Sequence, residues 1–256
     1  MRAPSRGFTL VELVMVILLH WVLATFSSQF IGIGTQIYGD ASRREQLMSD
    51  ASFALERLNR EVRDAVPGSV RIEDEGGNAL EQGACLRLWP IATASRYLGS
   101  ALGNGLTIVE PDPLPRDGAS AIVYPLADPV LTLDQGCLHG TCVARVDTVG
   151  SPASGALALT LGSGFARESP GQRVYFASQQ VRYCVTGTTL TRASAAIGLD
   201  FSGITPALMA EHIDTGSYFY RDPAAFSSSE VGLRLELEQR GERVLFNHKL
   251  ETINVP

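Results

Sequence analysis

The chain has 256 residues, 45% of them hydrophobic, and a formal net charge of −6 at pH 7. This length suits one fair-sized domain or two small ones. Because the net charge is negative, nothing in the composition favours nucleic acid as a partner. The apolar residues are unevenly distributed: the long apolar run lies within residues 1–33, and from Gly34 onward apolar residues alternate with polar ones, as in soluble domains.

The apolar run covers residues 8–33, and roughly 20 apolar residues suffice to span a bilayer. Arg2 and Arg6 precede it, so the positive-inside rule keeps the start in the cytoplasm and sends the rest across the membrane. A secretory signal peptide would have a shorter apolar core and a small-x-small cleavage site. The simplest interpretation is therefore a single-pass anchor.

An anchor alone does not explain Glu12, which lies within the apolar run, or Gly7, which separates the run from the basic leader. A carboxylate at the bilayer centre costs on the order of 3 kcal/mol and is usually functional. The structural alternative is a carboxylate near the end of the span that only reaches the lipid headgroups.

The sequence RGFTLVEL at residues 6–13 resembles the processing site of type IV prepilins and type II secretion pseudopilins. The resemblance implies that a prepilin peptidase cleaves between Gly7 and Phe8 and that Phe8 becomes the N-methylated first residue. It also implies that Glu12 pairs with this amine or with that of a neighbouring subunit. Glu12 lies four residues on, about 6 Å along a helix, and opposite charges attract more strongly in a low dielectric than in water.

The segment after the apolar run predicts an amphipathic helix that Pro67-Gly68 ends. One apolar stripe recurs at spacings of three and four; it consists of Met48, Ala51, Leu55, Leu58, Val62 and Ala65. We therefore expect one helix from Phe8 to about Val66, with a membrane-spanning first half and an amphipathic second half.

The rest of the chain predicts strands, because short apolar runs alternate with Gly, Pro and Asp. These runs are residues 85–89, 106–110, 121–126, 156–161, 173–178 and 180–185, followed by a hairpin of residues 231–238 and 243–255. The expected class is α+β and pilin-like, with the long helix packed on an antiparallel β-sheet head. The expected parts are a leader of residues 1–7, the helix of residues 8–66 and a periplasmic head of residues 67–256.

Four cysteines lie in the head: Cys85, Cys137, Cys142 and Cys184. An even number in an oxidising compartment indicates disulfides, and three connectivities are possible. A short turn favours Cys137–Cys142, which leaves Cys85–Cys184 to join two strand-like runs. A zinc site would require CxxC-type pairs with nearby histidines, and only His139 is close in sequence, so we expect no metal.

The sequence gives no sign of an enzyme. It contains no GxSxG, HExxH or P-loop motif, and its histidines are scattered, so we expect neither catalysis nor a cofactor. His248 shares a strand face with Val244, Phe246 and Leu250, which favours a hydrogen-bonded core histidine. His20 interrupts the apolar run, and we assign it no role.

Further segments resemble one group within the pilin family, the O-type minor pilins of mannose-sensitive haemagglutinin (MSHA) pilus biogenesis. The similar segments are residues 34–72, 85–98, 181–192, 208–214 and 253–256. The resemblance to J-type minor pseudopilins of type II secretion and to W-type minor pilins is weaker. The resemblance to O-type minor pilins implies a subunit that acts in pilus initiation or at the pilus tip. Its implied partners are prepilin peptidase, other minor pilins, the major pilin and the inner membrane.

Two functions of other classes remain open at this point. The first is a membrane-tethered periplasmic domain that binds a ligand or a surface. The second is an enzyme anchored by the N-terminal segment. An intact bond between Gly7 and Phe8 in the mature protein would favour plain tethering, whereas clustered polar residues in a deep pocket would favour catalysis.

Overall fold

The computed structural model describes residue 7 and residues 9–126, 132–221 and 230–253. The chain divides into two units, one ending at Gln46 and the other beginning at Leu47. A single long apolar helix followed by antiparallel sheets confirms the expected α+β class. The second unit contains the end of the helix and all of the strands.

The helix α1 (Leu10–Arg63) has 54 residues and ends three residues before the predicted Val66. Pro67 disfavours helical backbone at the residue before it. In addition, the Val66 amide donates to the Trp89 carbonyl at 2.8 Å, and the Ile91 amide donates to the Asp64 carbonyl at 3.1 Å. Beyond Arg63, the backbone therefore forms hydrogen bonds with residues 89–91 and does not continue the helix.

The predicted stripe of α1 is largely confirmed, since Ala51, Leu58, Val62 and Ala65 are fully buried. Leu55 is partly buried and packs against the same core, whereas Met48 is 45% exposed, so the prediction was wrong at Met48. Met48 and the buried Leu47 are apolar neighbours, and sequence periodicity alone did not choose between them. The buried side chains of α1 are Leu47, Ala51, Ala54, Leu58 and Val62.

Fifteen strands follow α1 within the described residues. They are β1 (Arg71–Glu73), β2 (Gln82–Gly83), β3 (Cys85–Leu88), β4 (Thr93–Leu98), β5 (Gly105–Val109), β6 (Ser120–Ile122), β7 (Val143–Val149), β8 (Ala156–Leu161), β9 (Arg173–Ala177), β10 (Gln179–Thr186), β11 (Thr189–Ala196), β12 (Ala207–Ala210), β13 (Tyr218–Tyr220), β14 (Glu230–Gln239) and β15 (Glu242–Glu251).

Two of the sheets share one hydrophobic core with the end of α1. The first has the order β1-β3-β10-β11-β12 and the second β15-β14-β13-β2, with antiparallel pairing throughout. Leu86, Leu88 and Tyr183 of the first sheet and Leu233 and Leu235 of the second lie in the same cluster as the α1 stripe. The predicted packing of an amphipathic helix segment on antiparallel sheet is thus confirmed.

A closed six-stranded barrel, in the order β4-β5-β8-β7-β6-β9, is the third β structure. Its strands lie in sequence between β3 and β10, which are direct neighbours in the five-stranded sheet. Several of its strands were predicted, but its closure was not, and a barrel is not part of the expected pilin-like head. The buried strand residues of its core are Tyr97, Leu106, Ile108, Ala121, Ala144, Val146, Leu157, Leu159, Leu161, Val174 and Phe176.

A third hydrophobic cluster joins the barrel strands to the end of the helix segment. It contains Val66, which follows α1, Trp89, which follows β3, and Ile122, Tyr175 and Ala177 from the barrel strands. Trp89 is 2% exposed. This cluster contains residues of the barrel and residues outside it. Apolar contacts, as well as the covalent chain, therefore hold the barrel against the rest of the head.

Candidate functional site at the start of the long helix

Thr9 caps the first turn of α1. Its carbonyl accepts a hydrogen bond from the Leu13 amide at 3.2 Å, and its Oγ1 accepts one from the Glu12 amide at 3.3 Å. Thr9 is therefore the N-cap residue and Glu12 occupies the third helical position, the spacing of a capping box. The Thr-x-x-Glu spacing in the sequence signals this cap, although it was not among the predictions.

The structure brings Glu12 to the first turn of α1, exposed and beside its cap. A carboxylate here interacts favourably with the positive end of the helix dipole. Gly7 is exposed, whereas Phe8 and the leader residues 1–6 lie outside the described residues. Cleavage after Gly7 and methylation of Phe8 therefore stay predictions.

The first part of α1 presents apolar side chains in every direction. Each large apolar side chain from Leu10 to Tyr38 is at least 41% exposed, far more apolar surface than a soluble monomer usually leaves in water. Among the described residues, α1 is the one helix long and apolar enough to cross a membrane. Its composition therefore suits lipid or the apolar surfaces of other helices.

Polar side chains in this part of α1 bond to its own backbone. The hydroxyls of Thr25, Ser28 and Thr35 donate to carbonyls three or four residues earlier, at 2.8–2.9 Å, and His20 Nδ1 lies 3.0 Å from the Val16 carbonyl. Such local hydrogen bonds satisfy polar atoms without water. These residues are thus compatible with an apolar environment.

Two disulfides link the four cysteines of the head in the pairing that the sequence favoured. Cys85 and Cys184 are register partners on β3 and β10, with Cα atoms 4.1 Å apart and 99 residues apart in sequence. Cys137 and Cys142 are five residues apart, and their Cα atoms lie 5.9 Å apart. The first bond therefore joins the two strands between which the whole barrel is inserted.

An ion pair fixes the amphipathic part of α1 to the five-stranded sheet. Arg192 Nε on β11 lies 3.1 Å from both carboxylate oxygens of Glu61, and both side chains are about four-fifths buried. Burial raises the pKa of the neighbouring Tyr183 hydroxyl. Arg57, one helical turn before Glu61 on α1, also contacts it, with its Nε 3.3 Å from the carboxylate. Helical spacing identifies such local partners, but it does not identify Arg192, which is distant in sequence.

A second buried carboxylate lies on the other face of this sheet. Glu73 is 1% exposed, with Arg87 Nη2 2.6 Å and Arg71 Nε 3.8 Å from its Oε1. Burial raises the pKa of Glu73, and the guanidinium groups of Arg87 and Arg71 oppose that rise. Arg71 and Arg87 are cross-strand neighbours, so the carboxylate separates two like charges and has a structural role.

The histidines do not form a site. His139 is exposed in the Cys137–Cys142 loop, and His212 Nε2 lies 2.8 Å from Gln239 Nε2. His248 is half-buried, and its buried Nε2 has no hydrogen-bond partner among the described residues. The expectation of a hydrogen-bonded core histidine was therefore wrong at this atom. Within the described ranges, no three His, Cys, Asp or Glu side chains group as metal ligands.

Comparison with known proteins adds no assignment. No protein-family model matches the chain, and no curated protein matches it at a significant level.

Proposed function

We propose that this chain is a minor pilin or pseudopilin of a type IV, MSHA-type pilus, processed by a prepilin peptidase. It acts at the initiation of assembly or at the pilus tip. In this proposal α1 holds the subunit in the inner membrane until assembly, and the head lies in the periplasm. Its partners are other minor pilins and the major pilin, contacted through α1.

The observation that carries the proposal is the arrangement at the start of α1. Gly7 precedes a capped helix, Glu12 lies in its first turn, and the apolar surface begins immediately afterwards. Cleavage after Gly7 would place a positive amine at Phe8, one turn from Glu12. Both charges would then lie at the edge of an apolar segment, where opposite charges attract strongly.

The second half of α1 supports the same function. Its buried stripe packs in the same hydrophobic core as the two open sheets. The one helix therefore continues from an apolar segment into the folded head. A J-type minor pseudopilin of type II secretion fits this architecture equally and is distinguished by the system with which the subunit assembles.

The barrel favours a second candidate function, a membrane-tethered binding or adhesive domain. It is a separate closed structure inserted between two paired strands, which is the organisation of a module added to an existing fold. The two functions differ at the N-terminus, because simple tethering requires no cleavage after Gly7 and no charge at Glu12.

Substitutions of Glu12 test the proposal. Glu12→Ala removes the charge and a side chain whose position suits a capping box, whereas Glu12→Gln removes only the charge, because Gln also suits this position. We expect both variants to insert and be cleaved but to lose crosslinking to neighbouring subunits in membranes. An unpaired amine would remain in the neighbour, and breaking a buried ion pair costs roughly 3–5 kcal/mol.

Thr9→Ala is the matched control. It removes the cap, at a cost of about 1 kcal/mol, and keeps the charge of Glu12, so crosslinking and piliation should persist. Glu12→Asp should be intermediate, since the charge stays but reaches less far. Normal crosslinking and piliation in Glu12→Gln would show that Glu12 serves the cap alone and would contradict the proposal.

A further inference from the structure

The chain contains five asparagines, and Asn104 is the one that glycine follows. In an Asn-Gly pair, the backbone nitrogen of glycine can attack the side-chain amide carbon of asparagine, because glycine has no Cβ and its backbone turns freely. The attack requires an accessible side chain, space around the glycine and a glycine nitrogen that is not engaged in a hydrogen bond. The structure meets these three requirements at Asn104.

Both residues of the pair are exposed at the start of a barrel strand. Asn104 lies in the bend that precedes β5, and Gly105 is the first residue of β5. A Cβ added to Gly105 would meet no heavy atom of the described residues within 4 Å. The space beside Gly105 is therefore open to the asparagine side chain and to water.

The Gly105 nitrogen lies outside the backbone ladders. The Leu161 amide donates to the Asn104 carbonyl at 2.7 Å, and Gly105 lies opposite Thr160. In an antiparallel ladder this pattern marks a non-hydrogen-bonded pair, so the Gly105 N–H points away from β8. On the other side, among the described residues, β4 pairs with β5 only from Thr107 onward.

The Asp117-Gly118 pair in the same barrel is a contrasting case. Aspartate followed by glycine can undergo the same ring closure, but here both reacting groups are held. The Gly118 amide donates to the Val146 carbonyl at 2.7 Å, and Asp117 Oδ1 accepts a hydrogen bond from the Val149 amide at 2.8 Å. The structure therefore restrains this pair and leaves Asn104 free to react.

We propose that Asn104 is a site of spontaneous deamidation in the folded chain. The Gly105 nitrogen loses its proton and bonds to Asn104 Cγ, and ammonia leaves as a five-membered succinimide closes. Water then opens the ring at either carbonyl, which gives aspartate or isoaspartate. Water is the co-reactant and ammonia the product released, and no oxidant or reductant is needed. The proposal holds whether or not the chain is a pilus subunit, so the two fail independently.

The two products have different effects on the barrel. Isoaspartate routes the backbone through the former side chain, which lengthens the chain before β5. It also converts the carbonyl that accepts from the Leu161 amide into a free carboxylate. Aspartate keeps the original backbone. Isoaspartate should therefore loosen the end of the β5–β8 pairing, whereas aspartate should not.

The first test follows Asn104 by peptide mass analysis. The full chain is aged in detergent micelles at mildly alkaline pH and digested with trypsin beside an unaged sample, which corrects for conversion during digestion. Residues 97–116 form one tryptic peptide, in which Asn104 is the one amide side chain. We expect aspartate and isoaspartate to accumulate there. An intact Asn104 under conditions that convert the synthetic peptide of residues 97–116 would overturn the proposal.

Two asparagine and aspartate positions serve as internal controls. Asn78 precedes alanine, and its Nδ2 donates to Asp74 Oδ2 at 2.8 Å, so it should stay unconverted. Asp117 should form no isoaspartate over the same period. Conversion of either residue as fast as Asn104 would contradict the selection of this site by the structure.

Gly105→Ala tests the attacking residue. The open space beside Gly105 accommodates the methyl group, so the variant should fold, and the loss of Asn104 should slow about tenfold because alanine restricts the backbone. Gly103→Ala is the matched control, since Gly103 is also exposed with open space beside it, and it should convert at the wild-type rate. Equal rates in Gly105→Ala and wild type would overturn the proposal.

Hydrogen exchange compares the two products. The aged chain, which contains isoaspartate, should lose protection in β8, whereas an Asn104→Asp variant should keep it. Equal protection of β8 in the two samples would contradict the effect on the β5–β8 pairing.

Discussion

The helix-backed sheets and the inserted barrel bury their cores in different ways. In the first region, two open sheets pack with the stripe of α1, so strands distant in sequence share one core. In the second, six short strands close on themselves, and their inward side chains fill the interior without a helix. The first region keeps open edges, such as β15, whereas closure removes the edges of the second.

The two regions are also held in place by different bonds. In the helix-backed region, the Glu61–Arg192 pair fixes the end of α1 to the five-stranded sheet. The barrel begins after Leu88 and ends before Val181, and these residues are direct partners across β3 and β10. It is thus inserted at a single point that Cys85–Cys184 holds together.

The two disulfides give the largest expected difference between the regions. Replacing both Cys85 and Cys184 with Ala should lower the free energy of unfolding by about 4–5 kcal/mol, because the bond closes a long loop. Replacing both Cys137 and Cys142 should cost about 2 kcal/mol. Guanidinium unfolding of the full chain in detergent, followed by hydrogen exchange of the strands, measures both. Equal costs would contradict the expectation that the disulfide closing the longer loop contributes more.

The α1 stripe provides a second comparison. Leu58→Ala should cost about 3 kcal/mol, since Leu58 is fully buried between helix and sheets. Met48→Ala, at an exposed position, should change stability by less than about 0.5 kcal/mol. Hydrogen exchange of Leu58→Ala should show larger losses of protection in β10 and β14 than in β5 and β8. Equal losses would mean that the barrel depends on α1 as the sheets do.

A double-mutant cycle of Glu61→Gln and Arg192→Gln tests the connection between α1 and β11. We expect a coupling energy of about 2 kcal/mol, because both groups are largely buried and share two charged hydrogen bonds. Arg57, the more exposed partner of Glu61, is the control, and Arg57→Gln should cost less than about 1 kcal/mol. A coupling energy near zero would show that the Glu61–Arg192 pair does not stabilise the attachment of α1 to β11.

The smallest effect concerns Glu73 and pH. Its pKa is raised from 4.5 in the folded protein, chiefly by burial, so the folded state holds this proton more tightly than the unfolded state. The stability contributed by Glu73 therefore falls as pH rises through 4.5 towards the folded pKa. The wild type should lose stability relative to Glu73→Gln over this interval, as urea unfolding at several pH values would show. An opposite slope would mean that the arginines outweigh burial.

Local patterns in the sequence were sufficient for α1, for several strands and for the β14–β15 hairpin. In each case, neighbours in sequence carry the signal: the long apolar run, the spacing of Ala51, Leu58 and Val62, or the alternation of leucines along β14. The start of α1 was likewise identifiable from Gly7 and Glu12, although its capping role was overlooked.

Barrel closure was not predictable from these patterns. It depends on pairings such as β4 with β9, which join residues about 80 positions apart, and β6 has only three residues. The partner of Arg192 was not available locally either, because it is decided by what packs opposite β11. The sequence therefore predicts individual helices and strands better than it predicts the closure of six strands into a barrel.

The central claim is that the chain is a processed pilin-like subunit, and the mass of its N-terminal peptide tests this most directly. The protein should be isolated from membranes of its native host, digested and analysed by tandem mass spectrometry. The account predicts a mature N-terminus at Phe8 carrying one methyl group, with residues 1–7 removed. A mature protein that retains Met1, or one that begins far beyond Phe8, would contradict it.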